Sequence, residues 1–269
     1  GRERLEGLSS HMPHFLNGRD LAQLSRNVMV IDLYGLGEGE VATRFPEVYQ
    51  HLYDRVRPDR LAKANASKDS AEYAKLWWLH GKPRPAMRHA LSGLTRYIAT
   101  PRTATHRIFQ FVSSDSLAES KLVVIACEDP YCLAIVSSHI HKVWSLASGG
   151  WLGVGNDPTY NHTDCFNNFP FPDCTPDQKA RLADLGERLD AHRKARQAVH
   201  PKLTLTAMYN VLEKLRAGEP IEGKDKDIYD QGLIGILKDL HDQIDAEVAA
   251  AYGWPADLSD EEILEQDKI

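Results

Sequence analysis

The sequence predicts an α+β protein: a mixed α/β domain over residues 1–172, then an all-α domain over residues 173–269. Three observations predict it. Short runs rich in β-branched and aromatic residues are confined to the first part of the chain. Four long stretches with helix start and stop signals fill the remainder. The charge balance also changes near Pro172: residues 173–269 carry 21 acidic side chains against 13 basic ones, whereas residues 1–172 carry 17 against 19.

In chain order, Val28-Met29-Val30-Ile31-Asp32-Leu33 is a short apolar, β-rich run and reads as a buried strand. Pro46 suits the first turn of a helix, and Val48, Leu52 and Val56 then recur at helical spacing. Residues 62–74 read as helix or loop and end in Trp77-Trp78-Leu79. The segment Lys82-Pro83-Arg84-Pro85 reads as extended, because each proline disfavours the α conformation in the residue before it. Residues 96–100, 107–112 and 121–127 are strand candidates. Residues 133–147 read as one helix with Ile135, Val136, Ile140, Val143 and Trp144 on its apolar face. Residues 149–172, rich in Gly, Asn, Pro and aromatics without a period, read as a loop, and loops that long usually serve a function. Helices are expected over 178–199, 204–217, 226–251 and 259–266. Thr204 and Ser259 stand at N-cap positions, with Gly218 and Gly253 as stops.

Composition excludes several classes. With 269 residues, 42% of them hydrophobic and 26% charged, the chain is ordinary globular material. No apolar run approaches the roughly 20 residues of a membrane span, and the start Gly-Arg-Glu-Arg is neither a signal peptide nor an initiator, which reads as a piece of a longer chain. Four irregularly spaced cysteines (Cys127, Cys132, Cys165, Cys174) read as reduced thiols in a cytosol. Within a chain of net charge -6, residues 55–107 hold twelve basic side chains against Asp59, Asp69 and Glu72. Such a block suits a polyanion partner, or a surface cancelled by acidic neighbours in space.

The motifs divide into decoys and candidates. Gly149-Gly150-Trp151-Leu152-Gly153-Val154-Gly155 follows a helix, whereas a phosphate-binding glycine loop follows a strand and opens a helix. Asp157-Pro158-Thr159-Tyr160 is one residue away from the Asp-Pro-Pro-Tyr tetrad of amino-methyltransferases, but no Rossmann-like sheet precedes it. His139 and His141 point to different helix faces and cannot share a metal. His241, Asp242 and Asp245 would suit a metal-dependent hydrolase, or simply a solvated helix face. Cys127 and Cys132 lack the second pair a zinc site needs.

Three segments suit DNA. Arg102-Thr103-Ala104-Thr105-His106-Arg107 joins two strand candidates, so its side chains are expected together at a hairpin tip. Arg102 and Arg107 can pair with guanine or phosphate, and Thr105 and His106 can bond either. The competing reading pairs Arg107 with a local carboxylate. Asn156, Asp157, Thr159, Tyr160, Asn161, His162 and Thr163 form a loop dense in groups that read base edges, or an Asx-turn network that merely folds it. Lys82, Arg84, Arg88 and Arg96 would neutralise phosphates. The segment Phe166-Asn167-Asn168-Phe169-Pro170-Phe171-Pro172 reads as a stiff apolar strap.

Taken in order, these blocks resemble a known family. Phe15-Leu16-Asn17-Gly18-Arg19-Asp20, then Val30 to Leu36, resembles the stretch just past the catalytic domain of MmeI-like DNA methyltransferases. So do Trp77-Trp78-Leu79-His80-Gly81-Lys82-Pro83-Arg84, Arg96-Tyr97-Ile98-Ala99-Thr100, His106-Arg107, Ser137 through Trp144, and the strap from Cys165. The segments Leu203 to Asn210 and His241 to Pro255 resemble that family's helical domain. The resemblance covers nearly the whole chain. It implies the target-recognition part of an adenine-N6 DNA methyltransferase, in some relatives fused to a nuclease for restriction–modification and in others serving phage defence. Double-stranded DNA and the methyltransferase domain of the same polypeptide are the implied partners. S-adenosylmethionine would belong to that parent enzyme, since the family's cofactor glycine loop and Asn-Pro-Pro-Tyr tetrad are absent from these residues. No catalytic residue, cofactor or metal is expected in this chain. The rival reading is a non-catalytic DNA-binding specificity or assembly module acting in trans.

Overall fold

The computed structural model describes residues 7–152 and 157–266. Elements are numbered in chain order. Strand β1 (His14–Leu16) leads into α1 (Gly18–Ala22), and five further helices follow: α2 (Glu38–Arg44), α3 (Pro46–Arg55), α4 (Arg57–Ala62), α5 (Lys68–Lys75) and α6 (Pro85–Leu91). Strands β2 (Arg96–Pro101), β3 (Gln110–Ser113), β4 (Ser116–Ala118) and β5 (Leu122–Ile125) precede α7 (Pro130–Val136) and α8 (His139–Ser148). Next come β6 (Gly150–Leu152), β7 (Asp157–Thr159), a π-helical turn (His162–Asn167), and helices α9 (Pro176–Val199), α10 (Leu205–Arg216), α11 (Gly223–Gly232), α12 (Ile234–Tyr252) and α13 (Asp260–Gln266). The fold is α+β, as the sequence predicts. None of the described helices is long and apolar enough to cross a membrane.

The chain packs as two compact units. One holds residues 1–15, 27–92 and 115–117; the other holds 16–26, 93–114 and 118–269. A cut at residue 172 therefore falls inside the second unit.

The first unit is mostly helical. Leu8, Leu33, Val41 and Phe45 are buried together, with Leu36, Leu52 and Trp78 against them. Trp78 Nε1–H donates to the Leu36 carbonyl at 2.9 Å, and Trp77 packs edge-on to Tyr49 and Tyr53. The strand expected over 28–33 is not formed. The segment hydrogen-bonds to residues 11–15 in an irregular ladder (Phe15 N to Val28 O, Val30 N to Pro13 O, Asp32 N to His11 O), which leaves Val28, Met29 and Ile31 exposed. Arg84 also departs from the extended form expected of it. Pro85, the first residue of α6, bars the right-handed α region, and Arg84 takes the left-handed one instead, at φ 55 and ψ 58.

In the second unit an antiparallel sheet of order β3-β2-β5 stands at the centre, with Ile98 opposite both Phe111 and Ile125. Its apolar face meets Cys132, Leu133, Val136, Tyr160 and Cys165. The other faces of α7 and α8 join α9, α10 and α12 in a larger core built on Leu182, Leu189, Met208, Leu237 and Ile244. Helices α7 and α9 approach closely at Gly186, where a Cβ would run into the Pro130 carbonyl oxygen. The strap does its expected work within this unit. Phe169 is buried in the helical core, Phe171 packs against both cores, and Tyr252 Oη–H donates to the Pro170 carbonyl at 2.6 Å.

Three further expected elements differ. The single helix over 133–147 is two, because Ser138 caps α8 by accepting from His141 N–H. The helix over 226–251 is also two, divided where Leu233 adopts φ 46. A glycine would be the usual residue there, but Gly232 is spent on packing: a Cβ on it would stand 2.7 Å from Ile234 Cδ1. Residues 149–172 are not all loop, since they contain the β6–β7 ribbon and the π-helical turn. The expected caps and stops hold. Thr204 accepts from Ala207 N–H, Ser259 forms a reciprocal pair with Glu262, and Gly218 and Gly253 take φ 70 and φ 73.

Candidate nucleic-acid interface

Residues 102–103 continue the line of β2 and reach the β6–β7 ribbon. Arg102 N–H donates to the Lys121 carbonyl and Tyr160 N–H donates to the Arg102 carbonyl, both at 2.7 Å, while Thr103 bridges Thr159. The Arg102 backbone is thus held on both sides and its side chain is left exposed. Among the described residues that side chain has no hydrogen bond or ion pair, and the same is true of exposed Thr105, His162 and Thr163. These four are among the free polar groups that the loop and the turn after the ribbon present to solvent. Rigid backbone under a free side chain is what positions a recognition group.

The remaining candidates from this unit are engaged. Arg107 does not cluster with Arg102 and does not take a carboxylate. It turns inward, donates to Thr100 Oγ1, to the Pro101 carbonyl and, at 3.3 Å, to the Pro158 carbonyl, and lies over the Tyr160 ring at 5.0 Å. Burial pulls its guanidinium down to about 10, so it stays charged near neutrality. His106 bonds Asn210 Oδ1 at 2.6 Å. Arg96 forms a two-point pair with Glu187 (3.0 and 2.6 Å) and stacks 3.7 Å over Phe111. Asn161 caps the π-helical turn by accepting from Asp164 N–H, so the Asx-turn reading holds for that residue. Tyr160 was expected to read bases but is fully buried, its hydroxyl 2.9 Å from His141 Nε2; it cannot touch a ligand in this arrangement. Thr159 is half-buried in β7 opposite Gly150, and Asp157 lies in β7 opposite Leu152. Asn156 lies outside the described residues.

In the first unit, Arg84 is exposed with no partner among the described residues, and Lys82 pairs with Asp69 at 2.9 Å. Arg88 holds its own unit together, donating to Asp32 Oδ2 at 2.7 Å and to the Pro83 carbonyl at 2.6 Å.

Sequence reasoning missed two buried clusters beneath these surfaces. His141 is buried between Tyr160 and Phe169, and burial together with Arg107 lowers it to about 3, which keeps it neutral. Its Nδ1 has no partner among the described residues. In the helical core, Arg193 donates to Tyr209 Oη at 3.1 Å and to the Phe109 carbonyl at 2.8 Å, and Tyr209 Oη lies 2.7 Å from His241 Nε2. The signal available in the sequence was an aromatic and a histidine on neighbouring helical stretches, which is too common to single out.

The metal reading fails on geometry. His241 is engaged by Tyr209, Asp242 pairs with Lys238 at 2.5 Å, and Asp245 accepts from His139 N–H at 2.6 Å. Among the described residues no group of three His, Cys, Asp or Glu is placed to hold an ion. Gly149 and Gly150 serve packing. Their missing side chains let the ribbon pack on α8, since a Cβ on Gly149 would collide with the Thr159 carbonyl. Likewise, residues 157–160 end a two-stranded ribbon and not a central parallel strand.

A sheet-anchored loop and a capped turn that display free polar side chains beside a helical support fit one class: an α+β recognition module. The family comparison agrees. The model of the MmeI target recognition domain matches residues 31–173, more than half of the chain, and this chain belongs to that family. The solved structure of the type IIL restriction–modification enzyme MmeI in complex with DNA is similar to it, with a TM-score of 0.69 at 15% identity. That likeness covers 100% of this chain and 33% of the MmeI chain, so this chain spans about a third of that enzyme's length; at such identity it shows the fold. Curated proteins give no match.

Proposed function

We propose that this chain reads DNA sequence for a site-specific adenine-N6 methyltransferase, with S-adenosylmethionine and the methyl transfer belonging to a further domain of a longer polypeptide in the bacterial cytoplasm. Membership of a target-recognition family supports the reading. The observation that carries it is Arg102, exposed and unpaired on a backbone pinned to both Lys121 and Tyr160. In this reading Arg102 and Arg84 neutralise phosphates, a contribution that is blind to sequence and sensitive to salt. Thr105, His162, Thr163 and Asn156 supply the preference, each good base contact being worth about 1–3 kcal/mol. Arg107 and Tyr160 support the Arg102 loop from within the second unit.

The test is binding of the protein to a randomised duplex pool at two salt concentrations, with the bound DNA sequenced. A short enriched motif, with affinity falling as salt rises, is the expected result. Arg102→Ala should weaken binding to all sequences alike and lower the salt slope by about one, whereas His162→Ala should shift preference between sequences. Salt-sensitive binding without enrichment would leave only a basic surface, and identical behaviour of the two variants would remove the division of labour.

A further inference from the structure

The glycine-rich run at 149–155 has no part in the function proposed above, yet the structure gives its described residues a definite form. A Cβ on Gly149 would stand 2.6 Å from the Ser145 carbonyl oxygen as well as colliding with that of Thr159, and a Cβ on Gly150 would stand 3.0 Å from Thr159 Oγ1. Cys165 Sγ closes the same corner, donating to the Ser145 carbonyl at 3.7 Å. The root of the β6–β7 ribbon is therefore clamped to the end of α8. Beyond the root, β6 leaves the body of the unit, with Trp151 52% and Leu152 53% exposed.

Two adjacent large apolar side chains on a strand point to opposite faces, so neither shelters the other. Register sets Trp151 against Pro158, which makes one face of the ribbon aromatic and apolar. A two-stranded ribbon is at best marginally stable in water by itself; the clamped root holds this one in place and presents Trp151 with little ordering cost on binding. Two arginines also stand at the base of the ribbon. Arg107 donates to the Pro158 carbonyl and has no carboxylate partner among the described residues, and Arg102, whose side chain is likewise unpaired among them, is tied through its backbone to Tyr160, the residue following β7. A partner that is polyanionic at its rim and apolar within fits both properties. The major groove of B-DNA is such a partner: it is about 12 Å wide, admits a two-stranded ribbon, and displays the 5-methyl group of each thymine between its phosphate walls.

We propose that the β6–β7 ribbon enters the major groove and that Trp151, backed by Pro158, reads thymine through its 5-methyl group. This rests on the DNA-reading function proposed above. It adds a base-contacting residue of a different chemistry, apolar where the loop groups are hydrogen-bonding.

The test uses the full-length protein and the duplex sequence enriched from the randomised pool, with each thymidine replaced in turn by deoxyuridine, which removes only the methyl group. At one or more positions the wild-type affinity should fall about four-fold, the weight of one buried methyl. Trp151→Ala should bind the thymidine duplex more weakly and be indifferent to the same replacement, and Trp151→Phe should keep part of the sensitivity. With its ring half in solvent, neither variant should change the melting temperature. The inference is overturned if no replacement alters wild-type binding, if Trp151→Ala remains as sensitive as wild type, or if the enriched sequence has no thymidine. A 2-aminopurine probe that brightens on binding while every deoxyuridine duplex binds normally would make Trp151 an intercalating wedge instead. If the wild-type protein binds no DNA at all, the DNA-reading function itself fails and the inference falls with it.

Discussion

Two buried clusters in the second unit use the same three residue types to different ends. In the helical core, Arg193, Tyr209 and His241 form a closed chain of hydrogen bonds, with Asp190 4.0 Å from the guanidinium. Under the loop and ribbon, Arg107, Tyr160 and His141 lie together, but among the described residues the arginine has only hydroxyl and carbonyl oxygens as acceptors. Phe109 joins the two: its carbonyl accepts from Arg193 while its ring packs on His141 and Tyr160. Asp190 is itself saturated, accepting from Phe111 N–H and from Lys194 Nζ–H. The helical cluster is thus neutralised and structural, while the cluster beneath the candidate interface leaves a positive charge uncompensated. Burying a cation without a counter-ion costs stability, and a face meant for a polyanion is where such a charge has a use.

The comparison can be broken most forcefully at Arg193. Arg193→Met leaves the Phe109 carbonyl and the Tyr209 hydroxyl without their buried donor and should cost about 3 kcal/mol of stability in a denaturant titration. Arg107→Met, which also removes a buried charge with no carboxylate partner among the described residues, should cost clearly less. An equal loss at the two positions would mean that the clusters are energetically alike.

Lowering the pH should act on both clusters. His141 and His241 are held neutral by burial, with His141 at about 3 against 6.5 when unfolded and His241 well below its ordinary value. Between pH 6.5 and about 3 the unfolded chain therefore binds more protons, so stability rises with pH there and falls on acidification. By pH 5 His141 should have removed about 2 kcal/mol, and His241 acts in the same direction. Melting temperatures measured from pH 7.5 to 5 should show this slope, and His141→Phe should flatten it. A flat profile would mean that these imidazoles titrate normally.

The smallest expected difference lies at the tyrosines. The Nδ1–H of His241 faces the Ser137 carbonyl, so the Tyr209 hydroxyl accepts from Arg193 and donates to Nε2. Tyr209→Phe loses two hydrogen bonds and leaves an arginine donor unmet, whereas Tyr160→Phe loses one. Losses of about 2–3 and about 1 kcal/mol are expected. The reverse order would remove the distinction between a closed network and an open one.

Much of the fold was legible wherever a local rule sufficed. Strands β2, β3 and β5, the caps at Thr204 and Ser259, and the stops at Gly218 and Gly253 all follow from residue type and spacing. Ser138 was also legible as a cap, but the apolar periodicity running through it hid the break. What was not legible depended on partners distant in the chain. Residues 28–33 have the composition of a buried strand, yet they hydrogen-bond to a segment that leaves Val28, Met29 and Ile31 outside, and only Leu33 reaches the core. Arg107 finds its acceptors in backbone carbonyls at 101 and 158, which no side-chain pattern announces. Tyr160 sits in a polar string but faces His141, 19 positions away. Of the candidate interface, the loop at 102–107 and the segment after the ribbon were legible as regions. Which of their residues stay free was decided by packing.

The strap at residues 166–172 has one more consequence, for anyone wishing to give this scaffold a new binding surface. Because Phe169 lies in the helical core and Phe171 touches both cores, a chimera spliced at residue 173 would bring two unrelated halves of one interior together. Exchange confined to Arg102, Thr105, His162 and Thr163 would leave every buried neighbour native, since these side chains face solvent. The transplantable unit in this chain is a handful of surface positions, and the domain beneath them is the rootstock.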